Sequence, residues 1–119
     1  MSSAPNQTQL HEGFMRQAIG QANIAGERGD IPIGVVIVTD QGKIIARAGN
    51  SREQRKDPTA HAEILALRAA GAQLGDWRIA RSTMYVTLEP CPMCAGAITM
   101  ARVPQLVIGA WNEEYGAVG

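Results

Sequence analysis

The spacing of apolar residues predicts a helix near the start of the chain. Apolar side chains recur there at every fourth position, at Leu10, Phe14, Ala18 and Ala22. This spacing places them on one face of a helix, which we expect to end at Gly26. Residues 1–9 are polar and lack the pattern, so we expect them to form a loose tail.

Two strands are predicted to follow this helix. Residues 31–38 are almost all apolar and mostly β-branched, which is typical of a strand that is covered on both faces. The turn-forming residues Asp40-Gln41-Gly42 then lead into residues 43–49, so the two strands should form a hairpin. The polar stretch 50–56 shows no period, and we interpret it as a loop.

Helices and strands alternate in the second half of the chain. Asp57-Pro58 is a typical helix start and Gly71 a typical helix end, which predicts a helix between them. Beyond this helix we expect a strand over 83–88, a helix over 91–100 and a strand over 104–110. A strand–helix–strand unit this short should be a right-handed parallel crossover.

The order α-β-β-α-β-α-β indicates an α/β fold with a mixed sheet, in which an N-terminal hairpin is followed by parallel strands. The chain has 119 residues, which fits one domain and leaves no room for two. We place that domain at residues 10–119, after the tail.

Charge and cysteine content narrow the possible functions. Lys+Arg and Asp+Glu both number 11, so the net charge gives no argument for binding nucleic acid or an anionic membrane. The first residues contain no apolar segment typical of a secretory signal, and no apolar run approaches the roughly 18 residues of a membrane span. In such a chain, two cysteines three residues apart favour metal or redox chemistry over a structural disulfide. We therefore expect a cytoplasmic protein.

Four residues have the chemistry of a catalytic zinc site. Cys91 and Cys94 lie at positions i and i+3 of a predicted helix, so their thiols share a face near its N-terminus, where negative charge is favoured. His61 can supply a third ligand, which leaves one tetrahedral position open for water. Glu63 lies two residues after His61 at a helix start, where it can reach back and transfer protons.

Each of these features also has an ordinary structural explanation. The cysteine pair alone is compatible with a redox pair or with two buried thiols, while His61 and Glu63 alone are compatible with ordinary surface or core side chains. The combination HxE followed by PCxxC, with each motif at the start of a predicted helix, favours the catalytic zinc site.

At these motifs the sequence resembles the zinc-dependent nucleobase deaminases, and among them the bacterial tRNA-specific adenosine deaminases. The resemblance extends from about residue 10 to residue 119. It is carried by FMRQA at 14–18, DIPIG at 30–34, Asn50, DPTAHAE at 57–63 and TLEPCPMCAGA at 87–97. It implies a three-layer α-β-α fold of the cytidine-deaminase type.

The resemblance also implies a role for each residue of the site. One zinc ion would be held by His61, Cys91 and Cys94, and Glu63 would move protons. The Ala62 backbone N–H and the Pro90 carbonyl would contact the reacting face of the base. Asn50 would bind the purine edge, and Ile33 and Leu88 would form the pocket walls. The implied reaction is hydrolysis at C6 of the wobble adenosine of a tRNA anticodon, which gives inosine, and the implied assembly is a homodimer.

Departures from the family and rival functions remain open at the level of sequence. Val35 and Asn112 stand where the family usually has Ala and Asp. The chain ends at Gly119 without a completed final element, so we expect that the family's C-terminal elements are absent. The rivals are a guanine or cytosine deaminase, with the same chemistry on a small molecule, and a non-catalytic zinc-stabilised binding module.

A cluster of cations precedes the predicted site and has two explanations. Its members are Lys43, Arg47, Arg52, Arg55 and Lys56. The cluster is compatible with an RNA-binding patch. It is equally compatible with a solvated hairpin edge, where charged side chains prevent aggregation.

Overall fold

The computed structural model describes residues 6–112, 114 and 116–118. Its elements are α1 (Gln7–Glu27), β1 (Gly34–Thr39), β2 (Ile44–Gly49), α2 (Arg52–Arg55), α3 (Ala62–Leu74), β3 (Ser82–Val86), α4 (Pro92–Met100) and β4 (Gln105–Ile108). The predicted order is confirmed, with the short helix α2 added inside the segment predicted as a loop. Within the described residues, no helix is long and apolar enough to cross a membrane.

The four strands form one mixed sheet in the order β2-β1-β3-β4. β1 pairs antiparallel with both β2 and β3, and β3 pairs parallel with β4. The predicted hairpin and the predicted parallel strand–helix–strand unit are therefore both confirmed. Because β1 lies in the interior of the sheet and is covered on both faces, five of its six residues are buried.

Helices cover both faces of the sheet. On one face, α1 packs through Ala18 against Val36, Val38 and Tyr85. On the other face, α3 and α4 pack against inward-facing sheet residues, and together these form the larger core cluster: Val35, Ile37, Ala46, Ala62, Ala66, Ala70, Ile79, Met84, Val86 and Ile98. Alternate residues of β1 point to opposite faces. The three-layer α-β-α architecture is confirmed.

The N-terminal boundaries differ from those predicted. α1 begins at Gln7, because Asn6 caps it and forms a reciprocal pair of hydrogen bonds with Gln9. The predicted tail therefore extends at most to Asn6, and residues 1–5 lie outside the described part of the chain. β1 begins at Gly34 instead of residue 31. Pro32 has no N–H to donate to a neighbouring strand, and the Ile33 N–H bonds to the Ile31 carbonyl.

The helix predicted from Asp57-Pro58 begins later, at Ala62, and ends later, at Leu74. The Asp57 carboxylate accepts hydrogen bonds from the backbone N–H and the hydroxyl of Thr59, so it stabilises a local turn instead of a helix start. The helix continues through Gly71 to Gly75, which adopts φ +69° and closes it.

The last two strands are shorter than predicted. β3 spans Ser82–Val86 and β4 spans Gln105–Ile108, whereas the sequence predicted strands over 83–88 and 104–110. The stretch beyond β3 carries Glu89 and Pro90, and it turns directly into α4. The predicted site is built around this turn.

Candidate metal centre

The predicted site residues gather at one end of the sheet. Ile33 precedes β1, Asn50 follows β2 and Leu88 follows β3. Hydrogen bonds link these strand ends. The Asn50 N–H donates to the Ile33 carbonyl over 3.1 Å, and the Thr87 N–H donates to the Gly34 carbonyl over 3.1 Å. Helices α3 and α4 both begin at this end, so their N-termini point into the same region.

His61 is placed by the start of α3. It occupies the N-cap position, and its side chain makes no capping hydrogen bond. The buried Asn50 supplies the missing acceptor, because its Oδ1 accepts the Ala62 N–H over 2.8 Å. The imidazole of His61 is therefore not used to cap α3.

Cys91 and Cys94 are placed by the start of α4. Cys91 is the N-cap residue, and Pro92 occupies the first helical turn, where a missing N–H has no cost. The Ala95 N–H donates to the Cys91 carbonyl over 2.9 Å, which closes the first turn. Cys94 is completely buried, and its thiol lies on the same side of the helix as that of Cys91.

The donor atoms of these three residues fit a tetrahedral zinc ion. The His61 Nδ1 atom lies 3.8 Å from the Cys91 Sγ atom and 3.5 Å from the Cys94 Sγ atom. Zn–S and Zn–N bonds of ordinary length at a tetrahedral angle place nitrogen and sulfur about 3.6 Å apart. His61, Cys91 and Cys94 thus form a three-ligand set, which leaves one coordination position open.

Glu63 is buried beside this set. Only 3% of the residue is exposed, and its Oε1 atom is buried without a hydrogen-bond partner among the described residues. Burial raises the pKa of Glu63, because the charged form loses its solvation. A buried carboxylate oxygen without a partner is costly, so it indicates a missing ligand or substrate group.

The electrostatics of the site also suit a cation. Burial, then the negative charges of Glu63 and Cys91, raise the pKa of the Cys94 thiol above its ordinary value. Burial, then the positive charge of Arg52, lower the pKa of His61, which favours the neutral imidazole that binds metals. The site therefore places two thiols and one carboxyl group, which are negative when ionised, around the neutral imidazole of His61.

The residues predicted to contact the base differ in how well their surroundings agree with that role. Ile33 and Leu88 are half-buried at the sheet end, as pocket walls would be. The Ala62 N–H already donates its one hydrogen to Asn50, which differs from the expected contact with the base. The buried Pro90 carbonyl accepts the Ala117 N–H over 3.2 Å and retains a second lone pair.

Comparison with known proteins identifies the family to which these site residues belong. The family described as "Cytidine and deoxycytidylate deaminase zinc-binding region" matches residues 8–110, which include all three donor residues and Glu63. The chain belongs to this deaminase family. The predicted membership is confirmed.

Individual members of the deaminase family are similar over most of this chain. The tRNA-specific adenosine deaminase of Bacillus subtilis is 49% identical over 108 residues, which cover 91% of this chain and 66% of the relative. A structure from work on A-to-I editing by tRNA:A34 deaminases at the wobble position of transfer RNA is 48% identical, with a TM-score of 0.87, and the match covers 90% of this chain and 82% of that one.

A guanine deaminase structure from Bacillus subtilis is also similar, with 41% identity and a TM-score of 0.81 over 85% of this chain and 64% of that one.

Curated relatives of this deaminase family are longer than the chain. It spans 8%, 66% and 61% of the length of three of them.

Two features of this deaminase site were missed by the sequence analysis. Glu89 is 5% exposed and binds backbone N–H groups of the segment after β4. Asp30 is 9% exposed and joins the end of α1 to α2 through the Glu53 N–H and Arg52. A carboxylate next to apolar residues at a strand end was the available signal for both.

Proposed function

We propose that the protein is a zinc-dependent hydrolase that converts adenosine to inosine at the wobble position of a tRNA anticodon. The observation that carries the proposal is the three-ligand set of His61, Cys91 and Cys94, with the Oε1 atom of Glu63 beside it, buried and without a hydrogen-bond partner in the described part of the chain. The similar tRNA adenosine deaminases support the substrate assignment.

The chain's own residues would divide the work as follows. His61, Cys91 and Cys94 would hold one zinc ion per chain. When bound, zinc would lower the pKa of a water molecule, so that hydroxide forms near neutral pH. Glu63 would accept a proton from water at Oε1 and deliver it to the amino group leaving C6 of adenine. The overall reaction consumes water and adenosine and produces inosine and ammonia.

Substrate contacts would come from the end of the sheet. Ile33 and Leu88 would form apolar walls around a base taken out of its stack, and the Pro90 carbonyl would accept a hydrogen bond from it. Asn50 would contact the purine edge through its amide nitrogen, because its Oδ1 atom is occupied by the Ala62 N–H. The contact from Ala62 would require that hydrogen bond to break on substrate binding.

One rival function has an observation in its favour. The guanine deaminase structure is similar over 85% of the chain, so the same site could act on a free base. A non-catalytic zinc module is the rival of another class, and it makes Glu63 dispensable. Inosine formation in an anticodon stem-loop RNA with adenosine at the wobble position separates these functions. Adenine, guanine, cytosine and their nucleosides are assayed in parallel.

The decisive variant is Glu63→Gln, which keeps the shape of the side chain but removes the proton acceptor. We expect conversion of the RNA alone by the unaltered chain, and a loss of about 100- to 10,000-fold in the variant. Elemental analysis of both samples should give one zinc per chain. Conversion of a free base alone would establish the rival deaminase, and full activity in Glu63→Gln would refute the assigned role.

We propose in addition that the enzyme is a cytoplasmic homodimer. Mostly apolar residues line an open groove of about 730 Å³ between α3 and α4, and two of them, Trp77 and Met100, are more than half exposed. Apolar patches of this kind mark interaction surfaces. A cytoplasmic location fits two cysteines used as metal ligands instead of in a disulfide.

Sedimentation velocity tests the dimer. The unaltered chain should sediment as a dimer and Met100→Glu as a monomer, because the variant places a charge on the apolar face. Ile19→Glu is the matched control. Ile19 is 45% exposed on α1, across the sheet, and its replacement should leave the dimer intact. A monomeric unaltered chain would contradict the proposal.

A further inference from the structure

Glu89 is a buried carboxylate that has no role in the proposed zinc chemistry. It does not belong to the set of His61, Cys91 and Cys94. Oε1 accepts the Asn112 N–H over 3.1 Å, and Oε2 accepts the Val118 N–H over 2.8 Å. Hydrogen bonds to an ionised carboxylate are among the stronger ones in proteins, so Glu89 fixes two points of one segment.

Asn112 and residues 116–118 of that segment lie against the turn that carries the zinc ligands. The Glu89 N–H donates to the Ala110 carbonyl over 2.8 Å, and the Ala117 N–H donates to the Pro90 carbonyl over 3.2 Å. Within the segment, the Gly116 N–H donates to the Asn112 carbonyl over 3.0 Å. The segment therefore lies directly against Pro90, the residue before Cys91.

Gly116 shows how closely the segment approaches. A Cβ atom at this position would overlap the carboxylate of Glu89 and the Asn112 carbonyl. Only glycine lets the backbone of the segment pass this close to Glu89. The buried carboxylate of Glu89 therefore packs directly against the backbone of Gly116.

We infer that Glu89 is a positioning residue, which holds Asn112 and residues 116–118 against the turn at Pro90 as one wall of the substrate pocket. The inference rests on the proposed deaminase function, because it assigns the wall to that pocket. Pro90 lies at the start of the zinc-ligand turn, so a segment bonded to its carbonyl borders the space where the base would lie. Glu89 acts through this segment and does not touch the reacting atoms.

Glu89→Gln tests the anchoring. An amide has one accepting oxygen where a carboxylate has two, so the N–H of either Asn112 or Val118 loses its acceptor. Hydrogen exchange of the full chain should be faster at the amides of Asn112 and Val118. For the anticodon stem-loop RNA, KM should rise about tenfold, as expected for the loss of one charge-assisted hydrogen bond. The kcat should change by less than about twofold and the zinc content should stay the same.

Two further variants make the result specific. Gly116→Ala leaves Glu89 intact but separates the same contact, so it should reproduce both the faster exchange and the higher KM. Glu12→Gln makes the same charge change on the exposed surface of α1 and should alter neither. Unchanged exchange in Glu89→Gln would overturn the anchoring. Faster exchange with an unchanged KM would overturn the inference that the segment forms a pocket wall. A similar change of KM in Glu12→Gln would overturn it as well.

Failure of the proposed function would give a different pattern. The unaltered chain would then convert no RNA, while the exchange data would still decide the anchoring. The KM comparison would be made on whichever base of the substrate panel the chain deaminates, and a rise in both Glu89→Gln and Gly116→Ala would still support the wall.

Discussion

At the scale of single residues, the site depends on a side chain that reaches it from the sheet. Asn50 is 2% exposed, and its Oδ1 atom satisfies the first backbone N–H of α3. That N–H belongs to Ala62, the residue after the metal-ligand candidate His61. Asn50 therefore fixes the direction in which His61 leaves the helix, in addition to any contact with a purine.

We predict that Asn50→Ala weakens zinc binding about tenfold, since residues that orient a metal ligand typically contribute this much. Stability should fall by about 1–3 kcal/mol, because a buried N–H loses its acceptor. Asn50→Asp keeps an acceptor at a helix N-terminus and should bind zinc almost as well as the unaltered chain. Competition with a zinc chelator and denaturant unfolding measure both effects. Equal weakening in the two variants would show that the hydrogen bond is not the cause.

The three donor residues could be proposed from the sequence, but the contacts that support them could not. The spacing of Cys91 and Cys94, and the position of His61 at a helix start, are local features that a sequence displays. The contact of Asn50 with Ala62 and those of Glu89 with Asn112 and Val118 join segments 12 to 29 residues apart. Nothing local shows which distant backbone groups these side chains would bond.

At the scale of elements, α1 packs unusually close to the sheet. A Cβ atom at Gly34 would overlap the Ala18 carbonyl and the Ala22 backbone nitrogen, and one at Gly49 would lie 2.7 Å from the Gln21 carbonyl oxygen. The two glycines are paired neighbours on β1 and β2. They form a flat place on the sheet, against which the backbone of α1 can lie.

We predict opposite effects for two Gly→Ala substitutions, one at this interface and one on the exposed side of α1. Gly34→Ala should destabilise the fold by about 2–3 kcal/mol, because the added methyl group pushes α1 away from the sheet. Gly20→Ala should stabilise it by up to about 1 kcal/mol. Gly20 lies on the exposed side of the same helix, where the methyl group meets no atom within 4 Å and only raises helix propensity. Unfolding in urea compares the two, and a stable Gly34→Ala variant would contradict the close packing.

Element boundaries show where local signals compete. Asp57-Pro58 and His61 are both plausible helix starts, and the sequence alone favoured the first. The structure uses Asp57 for a turn with Thr59, and the Ser51 N–H bonds to the Ala60 carbonyl, which closes the connection before α3 begins. Tertiary contacts of residues 51–60 decide between the two starts, so element order was predictable while this boundary was not.

At the scale of the whole molecule, a net charge of zero hides an uneven distribution of cations. Lys43 and Arg47 lie along the edge strand β2 and its turn, and Arg47 is paired with Val36, whose side chain faces α1. Arg55 and Lys56 are exposed in the connection that leads to His61. Arg52 is partly neutralised by Asp30 at 3.8 Å. The cations that looked like one cluster in sequence therefore belong to two regions.

We predict that only the region next to the site binds RNA. The double variant Arg55→Gln with Lys56→Gln should weaken binding of the anticodon stem-loop and reduce the slope of log K against log salt by about 1.4, which corresponds to two contacts with a single strand. Lys43→Gln with Arg47→Gln removes the same charge from the hairpin edge, where cations prevent strand pairing between molecules, and should leave the slope unchanged. Binding is measured by fluorescence anisotropy over a range of salt concentrations. Both double variants remove two positive charges from a chain whose formal net charge is zero. If they weakened binding equally, the electrostatic field of the whole molecule, and not a local patch, would attract the RNA.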